Sequence, residues 1–203
     1  MYDFKTVREL YETCYYGDQI QQDSLDEIGL EGWIRTNRNN GSIGFIELND
    51  GTYFKNAQIV YDKEKINNFE DITHHLTGCS ISIKGKFVLT PNAKQPFEIH
   101  LHEFTLIGDC DSTYPLQKKR HSFEYLRDIA HLRPRTNTFN AVFRLRSVLS
   151  MAIHEFFQNQ GFVYVHTPLL TGISCEGDDM FHVVTGDDKN NLDSYFGKKT
   201  LLS

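Results

Sequence analysis

The residues whose types and spacing could do chemistry begin with Phe45 and the two arginines just before it, Arg35 and Arg38. They lie in IGLEGWIRTNRNNGSIGFIELNDGTYFKNAQIVY, residues 28–61, where apolar and polar side chains alternate. Alternation with period two puts Leu30, Gly32 and Ile34 on one face and Glu31, Trp33 and Arg35 on the other. Further on, Ile46 and Leu48 oppose Ile43, Phe45 and Glu47. A ring on the wet face beside cations offers an unpaired base a surface to stack on, and offers its phosphates a charge, the stacking alone being worth ~1–3 kcal/mol. The same pattern also fits a ring that packs beneath a loop. The face carrying Phe54, Asn56, Gln58 and Val60 is mixed, so alternation leaves Gln58 undecided.

A second concentration of chemistry runs from Lys118 to Arg146. It holds eight basic residues (Lys118, Lys119, Arg120, Arg127, Arg133, Arg135, Arg144, Arg146) against two acids, Glu124 and Asp128, a local +6 in a chain whose formal charge is -6. Such a run suits a phosphate backbone, although a solvated helix face or internal salt bridges explain many of the same charges. The cysteines, Cys14, Cys79, Cys110 and Cys175, form no CxxC pair, and they read as free, reduced thiols. His74 and His75 are adjacent, so on a helix they point in different directions and make no metal pair. No metal site is expected.

The elements that must position these groups follow from periodicity and turn chemistry. Three strands are expected within residues 28–61, the last over Tyr53–Val60 behind an Asp-Gly hairpin turn in LNDG. Lys63–Leu76 carries Ile66, Phe69, Ile72 and Leu76 at helical spacing before Gly78. Ser80–Leu89 and Phe97–Leu106 are two more strands, joined by the turn TPNAKQP. Three strands, a helix and two strands is the order of an OB-fold, which binds oligonucleotides across its second and third strands and the adjoining loops. A short helix around Thr6–Glu12 precedes the barrel with no evident chemistry, and the polar Gly108–Pro115 follows it as the expected domain boundary. Phe139–Gln160 is an apolar-striped helix with Thr136 or Asn137 as its cap and Gly161 as its stop, and Phe162–Thr167 is expected to be a strand ended by Pro168.

At 203 residues with 39% hydrophobic and 13% aromatic residues, the chain has the composition of a globular protein of one or two domains. It holds no apolar run long enough to span a bilayer, and its first residues, MYDFKTVRELYETCYYGDQ, carry scattered acids and no signal-like core. A cytoplasmic location is the expectation.

The long helix followed by GFVYVHTPLL, Gly161–Leu170, resembles motif 1 of the class II aminoacyl-tRNA synthetases. With a barrel before it, the chain is similar to the aspartate, asparagine and lysine subgroup. Three further stretches, GWIRTNRNNGSIGFIELNDG, KKRHSFEYLRDIAHLRPRTNTF (Lys118–Phe139) and SCEGDDMF with YFGK (Ser174–Phe181, Tyr195–Lys198), resemble asparaginyl-tRNA synthetases. The resemblance covers the chain from about Ile28.

The implied fold is an all-β OB-fold barrel followed by the start of an α+β class II catalytic domain, truncated after the motif 1 helix and strand. The corresponding segments are an N-terminal extension (1–27), the anticodon-binding barrel (28–107), a linker or hinge (108–136) and a partial catalytic domain (137–203). The resemblance assigns Phe45 to stack on an anticodon base, Gln58 to read the neighbouring position and Arg38 to clamp the same region, with the loop Thr90–Pro96 meeting the remaining base. It assigns Glu176 to the ammonium group of the bound amino acid, although the run between Glu176 and Met180 is shorter and less glycine-rich than the family pattern. Pro168 belongs to the motif 1 dimer contact.

For the intact enzyme the resemblance implies ATP and Mg2+, L-asparagine and tRNA-Asn as ligands, a homodimer and no membrane partner. Adenylate chemistry also needs arginines in motifs 2 and 3, whereas the last arginine here is Arg146. The chain as given is therefore expected to carry no catalytic residues and to form no aminoacyl adenylate by itself. The alternative is a non-catalytic RNA-binding barrel. An asparagine synthetase built on the same catalytic fold fits less well, since it has no use for an anticodon-binding barrel.

Overall fold

The computed structural model describes residues 3–16, 27–173, 180–184 and 196–202. In chain order the elements are β1 (Asp3–Phe4), α1 (Val7–Tyr16), β2 (Ile28–Asn39), β3 (Ile43–Asn49), β4 (Ala57–Asp62), α2 (Phe69–His74), β5 (Ser80–Leu89), β6 (Phe97–Gly108), α3 (Phe123–Asp128), a 3-10 turn (Arg133–Arg135), α4 (Asn137–Asn159), β7 (Leu170–Thr171) and β8 (Leu201–Leu202). Two compact units part between Arg146 and Ser147, inside α4.

In the first unit the sheet runs β1-β2-β3-β4-β6-β5, and β5 returns to pair with β2, which closes five strands on themselves. The long β2 makes this closure possible: its first half, Ile28–Trp33, lies antiparallel to β5, and Trp33–Asn39 lies antiparallel to β3. Neighbours β4 and β6 run parallel, with Ile59 opposite Ile99. The alternation read in the sequence fills the interior with Leu30, Ile34, Ile46, Leu48, Ile59, Ile81, Ile83 and Ile99, all buried. At ~25 cal/mol per Å2 of apolar surface removed from water, burial of this kind is the main stabilising term.

The N-terminal helix belongs to the same core. Val7, Leu10 and Tyr11 are buried within it, and Tyr11 stacks on Tyr53 and meets Phe97 edge-on. A Thr-x-x-Glu box begins α1: the Glu9 amide donates to Thr6 Oγ1 and the Thr6 amide to Glu9 Oε2. Asp50 adds a long-range cap, its Oδ2 accepting from the Val7 amide at 2.7 Å.

Three elements differ from expectation. The third strand begins at Ala57, not Tyr53, because Asn49 folds residues 50–56 into a wide loop in place of a tight hairpin. Its Nδ2 donates to the carbonyls of Tyr53 and Lys55 and to Asn56 Oδ1, and its Oδ1 accepts from the Gly51 amide. The helix expected over Lys63–Leu76 contracts to Phe69–His74, since the Asp62 carbonyl takes the amides of Lys65 and Ile66 and holds that stretch as a turn. Ile66 is buried from the turn, while Leu76 is exposed.

Phe162–Thr167 is not a strand among the described residues. A period-two pattern becomes a strand only where a neighbour supplies ladder partners. The chain reverses after α4 through Gly161 (φ 86°), and the Phe162 amide returns to the Phe157 carbonyl. Phe157 meets Phe162, and His154 meets Tyr164, edge-on. In this second unit β7 pairs with β8. No described helix is long and apolar enough to cross a membrane.

Candidate nucleic-acid interface

The outward face of β2, β3, β4 and β6 carries the candidate groups. Phe45 is half-buried on β3 between the buried Gly44 and Ile46, with its ring on the solvent side of the barrel. Across the ladder it faces Arg38 on β2 and Val60 on β4. The Arg38 guanidinium carbon lies over the Phe45 ring, 5.4 Å from its centroid, a cation-π contact that holds a positive charge against the ring.

Arg38 reaches that position through a β-bulge. In a regular strand Arg35 and Arg38, three residues apart, point to opposite faces. The register of β2 on β3 shifts between Ile34, which faces Leu48, and Thr36, which faces Glu47. Arg35 is the extra residue, and beyond it parity is inverted. Arg38 is thereby turned outward beside Phe45, and Asn37 is turned inward opposite Ile46. Inside, Asn37 Oδ1 accepts from the buried Tyr61 hydroxyl at 2.8 Å, and its Nδ2 donates to the Ile72 and His75 carbonyls.

Gln58 sits one ladder step from Phe45, opposite Glu47. Its Nε2 donates to Glu98 Oε1 at 2.7 Å, and the same oxygen accepts from Gln95 Nε2 at 2.9 Å. Glu98 thus joins the β4 face to the loop 90–96, which is itself closed by the Thr90 amide on the Pro96 carbonyl and by Thr90 Oγ1 on the Gln95 carbonyl. Sequence reasoning missed Glu98. Its signal was present in the alternation of β6, where Glu98 lies between the buried Phe97 and Ile99, but its partner was fixed only by the parallel pairing of β4 with β6.

Phe45, Arg38, Gln58 and the Thr90–Pro96 loop are therefore on one continuous face. Pro168 lies in the exposed stretch after α4, and Glu176 lies outside the described residues.

Six of the eight residues of the basic run fall into two groups. Arg133 covers the rings of Phe139 and Phe143, Arg135 lies over Trp33 and donates to the Tyr114 hydroxyl, and Arg144 donates to the Gly51 and Thr52 carbonyls. Those three arginines are occupied in holding the chain together. Lys118, Lys119 and Arg120 are exposed and line a cleft of about 1030 Å3 with Arg35, Trp33, Tyr114 and Arg135. Burial lowers the Arg35 pKa from its usual value, and the Arg135 charge pushes the same way.

Two family models match this chain. Residues 28–107 match the family model described as OB-fold nucleic acid binding domain, and residues 122–199 match that of tRNA synthetases class II (D, K and N). The asparagine-tRNA ligase of Clostridium acetobutylicum is 54% identical over 87% of this chain and 40% of its own length; that of Clostridium perfringens strain 13 is 50% identical over 100% and 45%. Among solved structures, the asparaginyl-tRNA synthetase of Pyrococcus horikoshii complexed with asparaginyl-adenylate matches with a TM-score of 0.74 at 26% identity. That match covers 88% of this chain and 40% of the other. The chain spans less than half the length of these curated relatives.

Proposed function

Since the chain belongs to the class II tRNA synthetases of the D, K and N group, we propose that its barrel receives the anticodon loop of tRNA-Asn within an asparagine-tRNA ligase. The observation that carries this reading is the array of Arg38, Phe45, Gln58 and Glu98 on one outward face. Phe45 supplies the stacking plane for an anticodon base. Gln58, diagonal to it at roughly 7–8 Å, meets the edge of that base or its neighbour. Its Nε2 is held by Glu98, so its carbonyl is oriented as the acceptor. Arg38 holds the adjoining phosphate, and the Thr90–Pro96 loop contacts the remaining base. Lys118, Lys119 and Arg120 offer further charge to the tRNA backbone.

In the intact enzyme the reaction is the ATP-dependent activation of asparagine followed by transfer to tRNA-Asn. ATP and Mg2+ supply the leaving pyrophosphate and its charge compensation. Glu176 is proposed to receive the substrate ammonium. The apolar side chains exposed on α4, among them Leu145, Leu149, Ile153 and Phe156, would pack on the rest of the catalytic domain and, with Pro168, at a homodimer contact. The cytoplasm, where tRNA is charged, is the proposed location.

Binding of an anticodon stem-loop tests the reading. Phe45→Ala is expected to weaken that binding by ~1–3 kcal/mol and to leave an unrelated hairpin unaffected. Equal losses on both RNAs would show that Phe45 is no base platform.

A further inference from the structure

Away from the face that carries Phe45, one cluster of side chains brings a donor that follows β6 against two from the short loop between α2 and β5. His75 follows α2, Cys79 precedes β5 and Asp109 follows β6. One donor atom from each lies within 4.8 Å of the others. Cys79 is buried, and its Sγ lies 3.4 Å from Asp109 Oδ1. His75 Nε2 is buried with no hydrogen-bond partner. The nearest carboxylate, Asp71 Oδ2, is 3.6 Å away, beyond hydrogen-bond reach. A buried ring nitrogen left without a partner is costly and calls for an occupant.

We propose that His75, Cys79 and Asp109 bind a divalent zinc-class cation where the barrel ends and the polar connector begins. The donor set of imidazole nitrogen, thiolate and carboxylate suits Zn2+ and disfavours Mg2+ and Ca2+, which take oxygen donors. Tetrahedral Zn-S and Zn-O bonds of about 2.3 and 2.1 Å put sulfur and oxygen ~3.6 Å apart. The Cys79-Asp109 pair is already spaced that way. In the metal-free arrangement the Cys79 thiol donates to Asp109; the cation takes the place of that proton, which leaves to solvent.

His75 is oriented by stacking on Phe104 at 5.4 Å, and Asp109 Oδ1 also accepts from the Cys110 amide at 2.8 Å, so two of the ligands are held from behind. Asp71 or a water completes the fourth position. The bound cation fastens the start of the connector to the loop that leads into β5. No CxxC spacing announces such a site, because its ligands come from two segments, the loop between α2 and β5 and the start of the connector after β6, which only the fold brings together.

The test uses the whole chain, reduced and stripped with a chelator, titrated with Co2+ and then Zn2+. The expected result is one equivalent per chain, a thiolate-to-cobalt charge-transfer band, release of one proton per metal near neutral pH and a rise in Tm with Zn2+. Asp109→Asn alters an exposed position and is expected to keep the fold; it should weaken binding at least tenfold and abolish the rise in Tm. Cys79→Ser should abolish the band, and Cys14→Ser should leave everything unchanged. Absence of a stoichiometric band in the unsubstituted chain, or a band that survives both Cys79→Ser and Asp109→Asn, would overturn the proposal.

Discussion

Gly44→Ala gives the sharpest test of how the barrel holds the strand that carries Phe45. Gly44 faces Tyr61 across the β3–β4 ladder, directly before Phe45. A Cβ built at Gly44 falls 1.9 Å from Tyr61 Cζ and 2.3 and 2.4 Å from the two ring Cε atoms, so the ring lies flat on the glycine. Ordinary van der Waals contact begins near 3.4 Å; the ring must therefore retreat by roughly 1.5 Å. It has no room to do so. Tyr61 is fully buried, Phe69 packs on it at 5.1 Å, and its hydroxyl is tied to Asn37.

Overpacking of this kind costs ~1–3 kcal/mol, and breaking the buried Tyr61-Asn37 hydrogen bond adds ~1–2 kcal/mol. The expected destabilisation is about 2–5 kcal/mol, read by urea denaturation with the single tryptophan, Trp33, as the fluorophore. In a Tyr61→Ala background the new methyl enters vacated space, and Gly44→Ala should become neutral or stabilising by up to ~1 kcal/mol, as for an unhindered strand position. A cost below 1 kcal/mol in the parent, or an equal cost in both backgrounds, would refute the steric argument.

Two other outcomes follow from the same geometry. Burial pushes the Tyr11 phenol up to about 12, with its neighbours Tyr15 and Tyr53 adding to the shift, and burial pushes the Tyr61 phenol up to about 12 against the opposing bond to Asn37. Both exceed the value near 10 of an unfolded chain; their contribution is fully present below about pH 10 and is lost as pH rises towards 12, at ~2–3 kcal/mol each. Stability measured by denaturant titration across that window should fall steeply, and Tyr61→Phe should remove its share of the slope; an unchanged slope would count against the burial argument. Glu98→Ala frees both Gln58 and Gln95, and is expected to weaken anticodon stem-loop binding by ~1–3 kcal/mol while shifting the denaturation midpoint little. Unchanged affinity would mean that Glu98 does not orient Gln58.

The barrel was legible because period-two alternation and burial are the same constraint. Ile46 and Leu48 must face inward, so Phe45 and Glu47 face outward, and a one-residue slip would exchange the two sets. Ser80–Leu89 was likewise readable end to end. What stayed hidden depended on partners distant in sequence. Asn49 was read as part of a hairpin turn, but it folds the whole 50–56 loop and leaves Asp50 to cap α1, so a helix with no evident chemistry proves to be part of the core. Phe162–Thr167 carried strand alternation and is no strand among the described residues, since alternation reports a two-faced segment and not a paired one.

The bulge at Arg35 shows why the site was only half legible. Counting along β2 from Leu30 puts Arg35 outside and Arg38 inside, and proximity in sequence alone had suggested that both arginines could serve Phe45. The extra residue divides them. Arg38 is carried to the platform, while Arg35 joins the cleft beneath the basic run, where burial depresses its pKa. The same inversion brings Asn37 inside, where it satisfies the Tyr61 hydroxyl and the carbonyls of Ile72 and His75. One inserted residue therefore places a cation on the outward side, beside Phe45, and a polar anchor on the core side at adjacent positions. Because both effects arise from a single change of register, losing the Asn37 anchor should also disturb the contact between Arg38 and Phe45.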